Sequence, residues 1–383
     1  MFPVYRPYLT GKERQNVNEC LDSTWISSRG KFIGEFERRF SDFVGVSHAT
    51  SVCNGTVALH LALLAIGMGP GDEVIVPTLT YVASVNMIAA TGATPVFVDS
   101  IQNTWQLDPS AVERAITSRT KAVMVVHLYG GSCDMSAICR ICKDNRILLI
   151  EDCAEAFGTY YEDRHVGTFG DVATFSFFGN KTITTGEGGM VISNDAQVLE
   201  RAFHLKTQAV SPSQEYWHDM LGYNYRMTNI CAAIGVAQLE HAEYILEKKR
   251  QLAAWYDKYL AGLPVRRQAE PPHSRHSWWL NSILVAPELR DNLRQHLRDA
   301  SVETRPLFPP VHAFPHYDSG LSFPIAENIS KSGLSLPSYP DLTESDVRTI
   351  SSKIAGFFDA ANSRDLKDCF EQRHAFHALD DDT

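Results

Sequence analysis

Residues Ile147 to Asn194 read ILLIEDCAEAFGTYYEDRHVGTFGDVATFSFFGNKTITTGEGGMVISN, and this stretch decides the fold. Ile147 to Ile150 is an unbroken apolar run ending in Glu151-Asp152. Such a run reads as a strand buried on both faces of a parallel sheet, with its carboxyl end opening into a crevice. Asp152 therefore falls where open α/β sheets bind ligands. A second run, Ala173 to Phe178, leads into Gly179-Asn180-Lys181. Thr182, Thr184, Thr185 and the glycines Gly186, Gly188 and Gly189 follow, so the lysine sits on a tight connection with little bulk around it.

Alone, a lysine after a strand is ordinarily a solvated surface residue, and an aspartate at a strand end is ordinarily a cap or turn residue. Together they match the two requirements of pyridoxal 5'-phosphate (PLP). These are a lysine to hold the cofactor's aldehyde covalently and an aspartate to keep its pyridine nitrogen protonated.

Working outward, Ala49 to Val52 reads as a short strand, followed by Asn54-Gly55-Thr56 and a helix carrying Val57, Leu59, Leu61 and Leu63. A small-residue turn at a helix N-terminus leaves backbone N–H groups free to cradle a phosphate, although the same triplet serves as a plain N-cap. Glu73 to Pro77, Pro95 to Val98, Ala122 to Val126 and Met190 to Ser193 add strands, with helices between them such as Pro109 to Thr117. This alternation predicts an α/β fold with a largely parallel, doubly wound sheet. Tyr81, at the start of the helix after Pro77, is either core or a flat aromatic able to stack on a pyridine ring.

Beyond the sheet, Tyr216 to Asn229 (YWHDMLGYNYRMTN) reads as a structured loop, with an interface pad as its plain reading. One long amphipathic helix is expected from Ile230 to about Leu260. The rest suggests a smaller α+β unit: strand Ser277 to Val285, helix Asp291 to Ala300, strand Val302 to Arg305 and helix Ser345 to Phe358. The expected division is a large domain over 1–240, a small one over 241–362 and a mobile tail over 363–383.

With 383 residues, 44% apolar and 21% charged, the chain has an ordinary globular composition. A formal charge of −10 argues against nonspecific nucleic-acid binding, which takes a basic surface. An anionic ligand must then be held by local donors such as Arg226, Arg305 and His312, the last of which reads equally as a surface histidine. No signal-type segment and no apolar run of about 18 residues occurs, so neither export nor a membrane span is implied and the expected location is the cytoplasm. Of eight cysteines, only Cys133, Cys139 and Cys142 cluster. No second CxxC or histidine pair completes a zinc set, so no metal is expected and free thiols in a reducing compartment are the better reading.

Glu151-Asp152-Cys-Ala-Glu155-Ala, Ser176-Phe-Phe-Gly-Asn-Lys181 and Thr185-Gly-Glu-Gly-Gly189 resemble the DegT/DnrJ/EryC1/StrS sugar aminotransferases, from about Pro7 to about Phe358. The resemblance implies the aspartate aminotransferase-like fold (PLP fold type I), with a large domain holding a mostly parallel seven-stranded sheet and a smaller α+β domain. It implies transfer of an amino group from L-glutamate to C4 of a 4-keto nucleotide sugar, supplying O-antigen or other surface-glycan synthesis. Lys181 and Asp152 take the catalytic roles, Tyr81 stacks on the cofactor and Glu155 lies near its 3-hydroxyl. Gly55, Thr56 and Ser176 hold the phosphate, joined by Asn224 from a second subunit, so a homodimer with shared sites is implied. The loop carrying Trp25 and Ser27 borders the substrate cleft in relatives.

The chain departs from the family pattern in two places. Thr207-Gln208-Ala209-Val210 stands where relatives flank the glutamine with glycines, and Gly131 replaces a common polar residue. Two other branches fit less well. Sugar dehydratases carry a histidine in place of the lysine, and a ligand-sensing regulator would need a DNA-binding appendage. The nucleotide and the sugar stereochemistry are left open by the sequence.

Overall fold

The apolar runs become a seven-stranded sheet in the computed structural model, which describes residues 1–318 and 320–363. In chain order the strands are β1 (His48–Val52), β2 (Glu73–Pro77), β3 (Thr94–Val98), β4 (Thr120–Val126), β5 (Leu148–Asp152), β6 (Val172–Ser176) and β7 (Gly189–Ser193). They lie side by side as β1-β7-β6-β5-β4-β2-β3. Strands β3, β2, β4, β5 and β6 pair in parallel, with Ile150 level with Met124 and Val172. Only β7 runs antiparallel to its neighbours, β1 and β6. Parallel pairs need crossovers, and the crossover helices cover both faces.

Period-2 alternation sorts the strand side chains between the two faces. Val74, Val76, Met124 and Ile150 meet Ala58, Leu61, Leu63 and Ile88 of the helices Gly55–Ala65 and Val82–Ala90. Ile75, Val123, Val125 and Phe175 face the other way, against Phe36 and Phe40 of the helix Lys31–Val44. There Phe40 meets Phe175 and Phe177 edge-on, at centroid distances of 5.0 and 5.4 Å.

A second, antiparallel sheet orders Arg266–Arg267, Asn281–Leu284, Gly333–Leu336 and Arg305–Pro306. The helices Pro287–Asp299 and Glu344–Ser363 cover it. The helix Ala242–Leu260 ties the two cores together, since Ala242, Ile245 and Leu246 belong to the first and Leu252, Tyr256 and Leu260 to the second. Residues 2–5 also pack on this second unit. Phe2 N–H donates to Ser301 O at 2.9 Å, and Ser338 N–H donates to Val4 O at 2.8 Å.

Several expected boundaries move. The single helix from Ile230 to Leu260 is two, Asn229–Glu240 and Ala242–Leu260, broken at His241. The first is buried almost all round by small residues such as Ala232, Ala233 and Gly235, whereas the second is amphipathic, and the break re-aims the apolar face. The strand expected from Ser277 is shorter, Asn281–Leu284, because Ser277 to Leu280 turn toward the first unit and Ser277 N–H donates to Gly130 O. The strand expected over Val302 to Arg305 is the pair Arg305–Pro306. The tail expectation lies outside the described residues, apart from Ser363, which ends the last helix. No helix among the described residues is long and apolar enough to cross a membrane.

Candidate active site

The carboxyl ends of β4, β5 and β6 open into a cavity of about 720 Å³. Its lining includes Gly55, Thr56, Tyr81, Asp152, Glu155, Ser176, Lys181 and Arg305, which are distributed over most of the chain in sequence.

Asp152 ends β5 with its side chain toward the cavity, while Glu151, one residue earlier, faces away as strand alternation requires. Glu151 serves structure: its carboxylate accepts from the peptide N–H groups of Gly167, Phe169 and Gly170 and from His127. That leaves it committed, although His127, Glu151 and Cys153 place their donor atoms within 4.8 Å of one another. Asp152 is held differently. Ser84 Oγ donates to Oδ2 at 2.7 Å, Ala154 N–H donates to Oδ1 at 3.0 Å, and Thr80 Oγ1 lies 3.1 Å from Ser84 Oγ. Burial pushes the carboxyl pKa up, opposed by these donors and by the charge of Lys181. A cationic ring nitrogen facing it would supply the remaining counter-charge.

Lys181 follows β6 on a turn closed by its own N–H to Phe178 O at 2.9 Å. Its Nζ lies 3.7 Å from Glu155 and 3.9 Å from the centre of the Trp279 ring. Burial lowers the amine's pKa, against the pull of Glu155 and Asp152. Burial likewise pushes Glu155 up to about 7. Both groups of this pair are therefore driven toward their neutral forms, and an uncharged amine is the nucleophilic one. Glu155 also accepts from Tyr129 N–H at 2.8 Å.

Asn54 caps the helix Gly55–Ala65 by accepting from Val57 N–H, and the preceding N–H groups of Gly55 and Thr56 have no intrahelical partner. Gly55 packs so closely on Ser176 that an added Cβ would lie 2.6 Å from the serine Cβ. A bare helix start beside a hydroxyl is a cradle for a phosphate.

Tyr81, at the start of the next helix, is 57% exposed and lines the cavity with its ring 5.5 Å from that of Phe308. Buried acid, activatable lysine, exposed flat aromatic and phosphate cradle converge at one opening. These residues fit PLP: Asp152 would face the ring nitrogen, Lys181 the aldehyde, and Gly55, Thr56 and Ser176 would hold the phosphate.

Other candidates lie elsewhere. His312 is neither on the surface nor in the cavity: its Nδ1 lies 2.7 Å from Thr78 Oγ1 and its Nε2 lies 3.5 Å from Glu327. Trp25 and Ser27 sit outside this chain's cavity, their carbonyls accepting from the side chain and the N–H of Asn229 at 2.7 and 2.6 Å. Asn224 and Arg226 are exposed and bonded to each other at 3.0 Å, also outside the cavity. Their loop is tied to the cradle, because Cys53 N–H donates to Tyr225 O.

Sequence reasoning missed Ser84, Tyr129, Trp279 and Phe308, all of which line the cavity. Ser84 was findable, one turn into a helix whose start was already of interest. Nothing local marks Trp279, which arrives from the second unit.

This fold and site define a PLP-dependent aminotransferase of fold type I. The model of the DegT/DnrJ/EryC1/StrS aminotransferase family matches residues 7–355, and the chain belongs to that family. It is 55% identical over 358 residues to a GDP-perosamine synthase of Escherichia coli O157:H7, covering 93% of this chain and 98% of that one. It is 50% identical over 365 residues to a GDP-perosamine synthase of Vibrio cholerae, covering 94% and 100%. Among solved structures, the aminotransferase TlmJ from Streptoalloteichus hindustanus superposes with a TM-score of 0.91 at 31% identity, over 94% of this chain and all of that one.

Proposed function

We propose that this aminotransferase moves the amino group of L-glutamate to C4 of GDP-4-keto-6-deoxy-D-mannose, giving GDP-perosamine. The observation that carries the substrate is the identity of about half or more with two proteins of that name across nearly the whole of each chain. The cavity supports the chemistry. PLP bound there supplies an electron sink for the carbanion formed when Cα of the donor loses its proton. With its amine free, Lys181 would be the base that takes that proton, and its lowered pKa suits the task. Asp152 keeps the ring nitrogen charged, held in place by Ser84 and Ala154. Arg305 lines the cavity wall, 3.7 Å from Glu303, and offers a guanidinium to an anionic ligand.

We further read the working assembly as a homodimer in which Asn224 completes the phosphate cradle of the partner and the Trp25–Ser27 loop and Arg226 border the partner's cleft. Two features support this reading. Asn224 is exposed and does not line its own cavity, and Trp25, Phe203, Trp217 and Leu221 are exposed, at 55, 56, 56 and 76%. The division at 240/241 is our reading of the domains, with residues 2–5 assigned to the second. The seven described cysteines are unpaired, which supports a cytoplasmic location.

Incubation with glutamate and the GDP-, dTDP- and UDP-linked 4-keto-6-deoxy sugars, with products identified by mass and NMR, tests the substrate. A preference for the dTDP or UDP compound discards GDP-perosamine as product and keeps the aminotransferase.

A further inference from the structure

We infer that Tyr5 and Trp279 are positioning residues for Lys181, fixing the turn that presents its amine. The lysine's peptide is flanked by two carbonyls, and each is taken by a side chain from a distant part of the sequence. Tyr5 Oη donates to Lys181 O at 2.6 Å, and Trp279 Nε1 donates to Asn180 O at 2.7 Å. The local sequence gives this turn little rigidity of its own. Gly179 precedes it with open space where a side chain would be, and Asn180 Oδ1 is buried with no hydrogen-bond partner.

Both donors are themselves held. The Tyr5 ring lies 5.0 Å from Nζ of Lys249, a wholly buried lysine that donates to Ser338 O at 2.8 Å. Trp279 is 3% exposed and lies parallel to Tyr129, whose ring in turn stacks on Phe308. The indole acts on Lys181 twice, because the face of the ring whose N–H fixes Asn180 O also lies 3.9 Å from Nζ.

The turn therefore belongs to the first unit by sequence and to the second by hydrogen bonding. Proximity chemistry depends steeply on such placement, because an error of about 1 Å costs on the order of a hundredfold in rate.

The test uses Y5F and W279F, which remove one donor atom each and keep a ring. Y256F is the control: Tyr256 is buried, and its hydroxyl likewise donates to a backbone carbonyl, Pro337 O at 2.9 Å, away from the cavity. PLP is added to each cofactor-free protein, and the visible absorbance created by attachment to Lys181 is followed in time. This readout needs no sugar, so it stands or falls independently of the substrate proposed above. Y5F and W279F are expected to attach the cofactor roughly tenfold more slowly than the parent, on the scale of a small misplacement. Y256F is expected to lose thermal stability and attach at the parent rate. Attachment by Y5F and W279F as fast as by Y256F overturns the inference, and equal slowing in all three does so too, by assigning the effect to stability. Should W279F fail to fold, Y5F alone decides, since it acts on the other carbonyl.

Discussion

Asp152 and Glu155 are both buried carboxyls in one cavity, yet their surroundings set them to different tasks. Asp152 has a donor on each oxygen, so its charge is supported, whereas Glu155 has one peptide N–H and an amine whose own charge is disfavoured. Replacing Asp152 with Asn should keep the fold and cut turnover by about a hundredfold or more, the scale for losing a preorganised electrostatic partner. Ser84→Ala should cost roughly tenfold, the worth of one hydrogen bond to a charged group. Steady-state rates with thermal melts as a folding check measure both. Lys181→Ala should show neither turnover nor the absorbance of a covalently held cofactor. For Glu155 the folded pKa of about 7 lies above its ordinary 4.5, so the native state binds the extra proton between those values. Its contribution to stability is then fully present below about 4.5 and is lost as pH rises through about 7. Melting the cofactor-free protein across that window should show this loss in the parent and a flatter profile in Glu155→Gln.

At the scale of elements, the departures from family pattern have physical readings. Gln208 and Ala209 have φ of 66° and 51°, the left-handed region that glycine prefers, so the loop keeps the backbone shape without the residues that favour it. Holding a non-glycine residue there costs about 1–2 kcal/mol. Gln208 is exposed, so Gln208→Gly should recover up to about 1 kcal/mol of that in denaturant unfolding, whereas Ala209→Gly would also give up a buried methyl. Gly131 is crowded: an added Cβ would lie 2.7 Å from Gln106 Nε2 and 3.3 Å from His276 Nε2. A side chain at this position would have to displace the ends of Gln106, Gln268 and His276. In the core, Phe40 packs against Phe36, Phe157, Phe175 and Phe177 at once, and Phe40→Ala should lower stability by about 3–5 kcal/mol.

Over the whole molecule, the cavity draws on both sheets, so its shape depends on how the two units meet. The helix Ala242–Leu260, with one end in each core, and the N-terminal residues bonded to Ser301, Glu303 and Ser338 of the second unit hold them together. Asn224 on the outer surface raises the question of a second copy. If it completes a partner's cradle, mixing inactive Lys181→Ala with inactive Asn224→Asp chains should restore part of the activity, because one hybrid site escapes both lesions. Activity that stays absent after demonstrated subunit exchange would assign Asn224 a role within its own chain.

The parallel sheet and the crevice were legible in the sequence because both rest on local signals. Apolar runs such as Ile147 to Ile150 declare buried strands, and Asp152, Ser176 and Lys181 sit at the ends of those runs, where open sheets bind ligands. Gly55 and Thr56 were legible for the same reason, as a small-residue turn opening a helix. The partners of those groups were decided only by tertiary structure. No periodicity brings Trp279 or Tyr5 to the lysine turn or buries His312 against Thr78 and Glu327. Those contacts join residues far apart in the chain, and the packing of the second unit on the first creates them. The break at His241 belongs with them, since continuous amphipathic periodicity does not record that the face it serves has changed from one core to another.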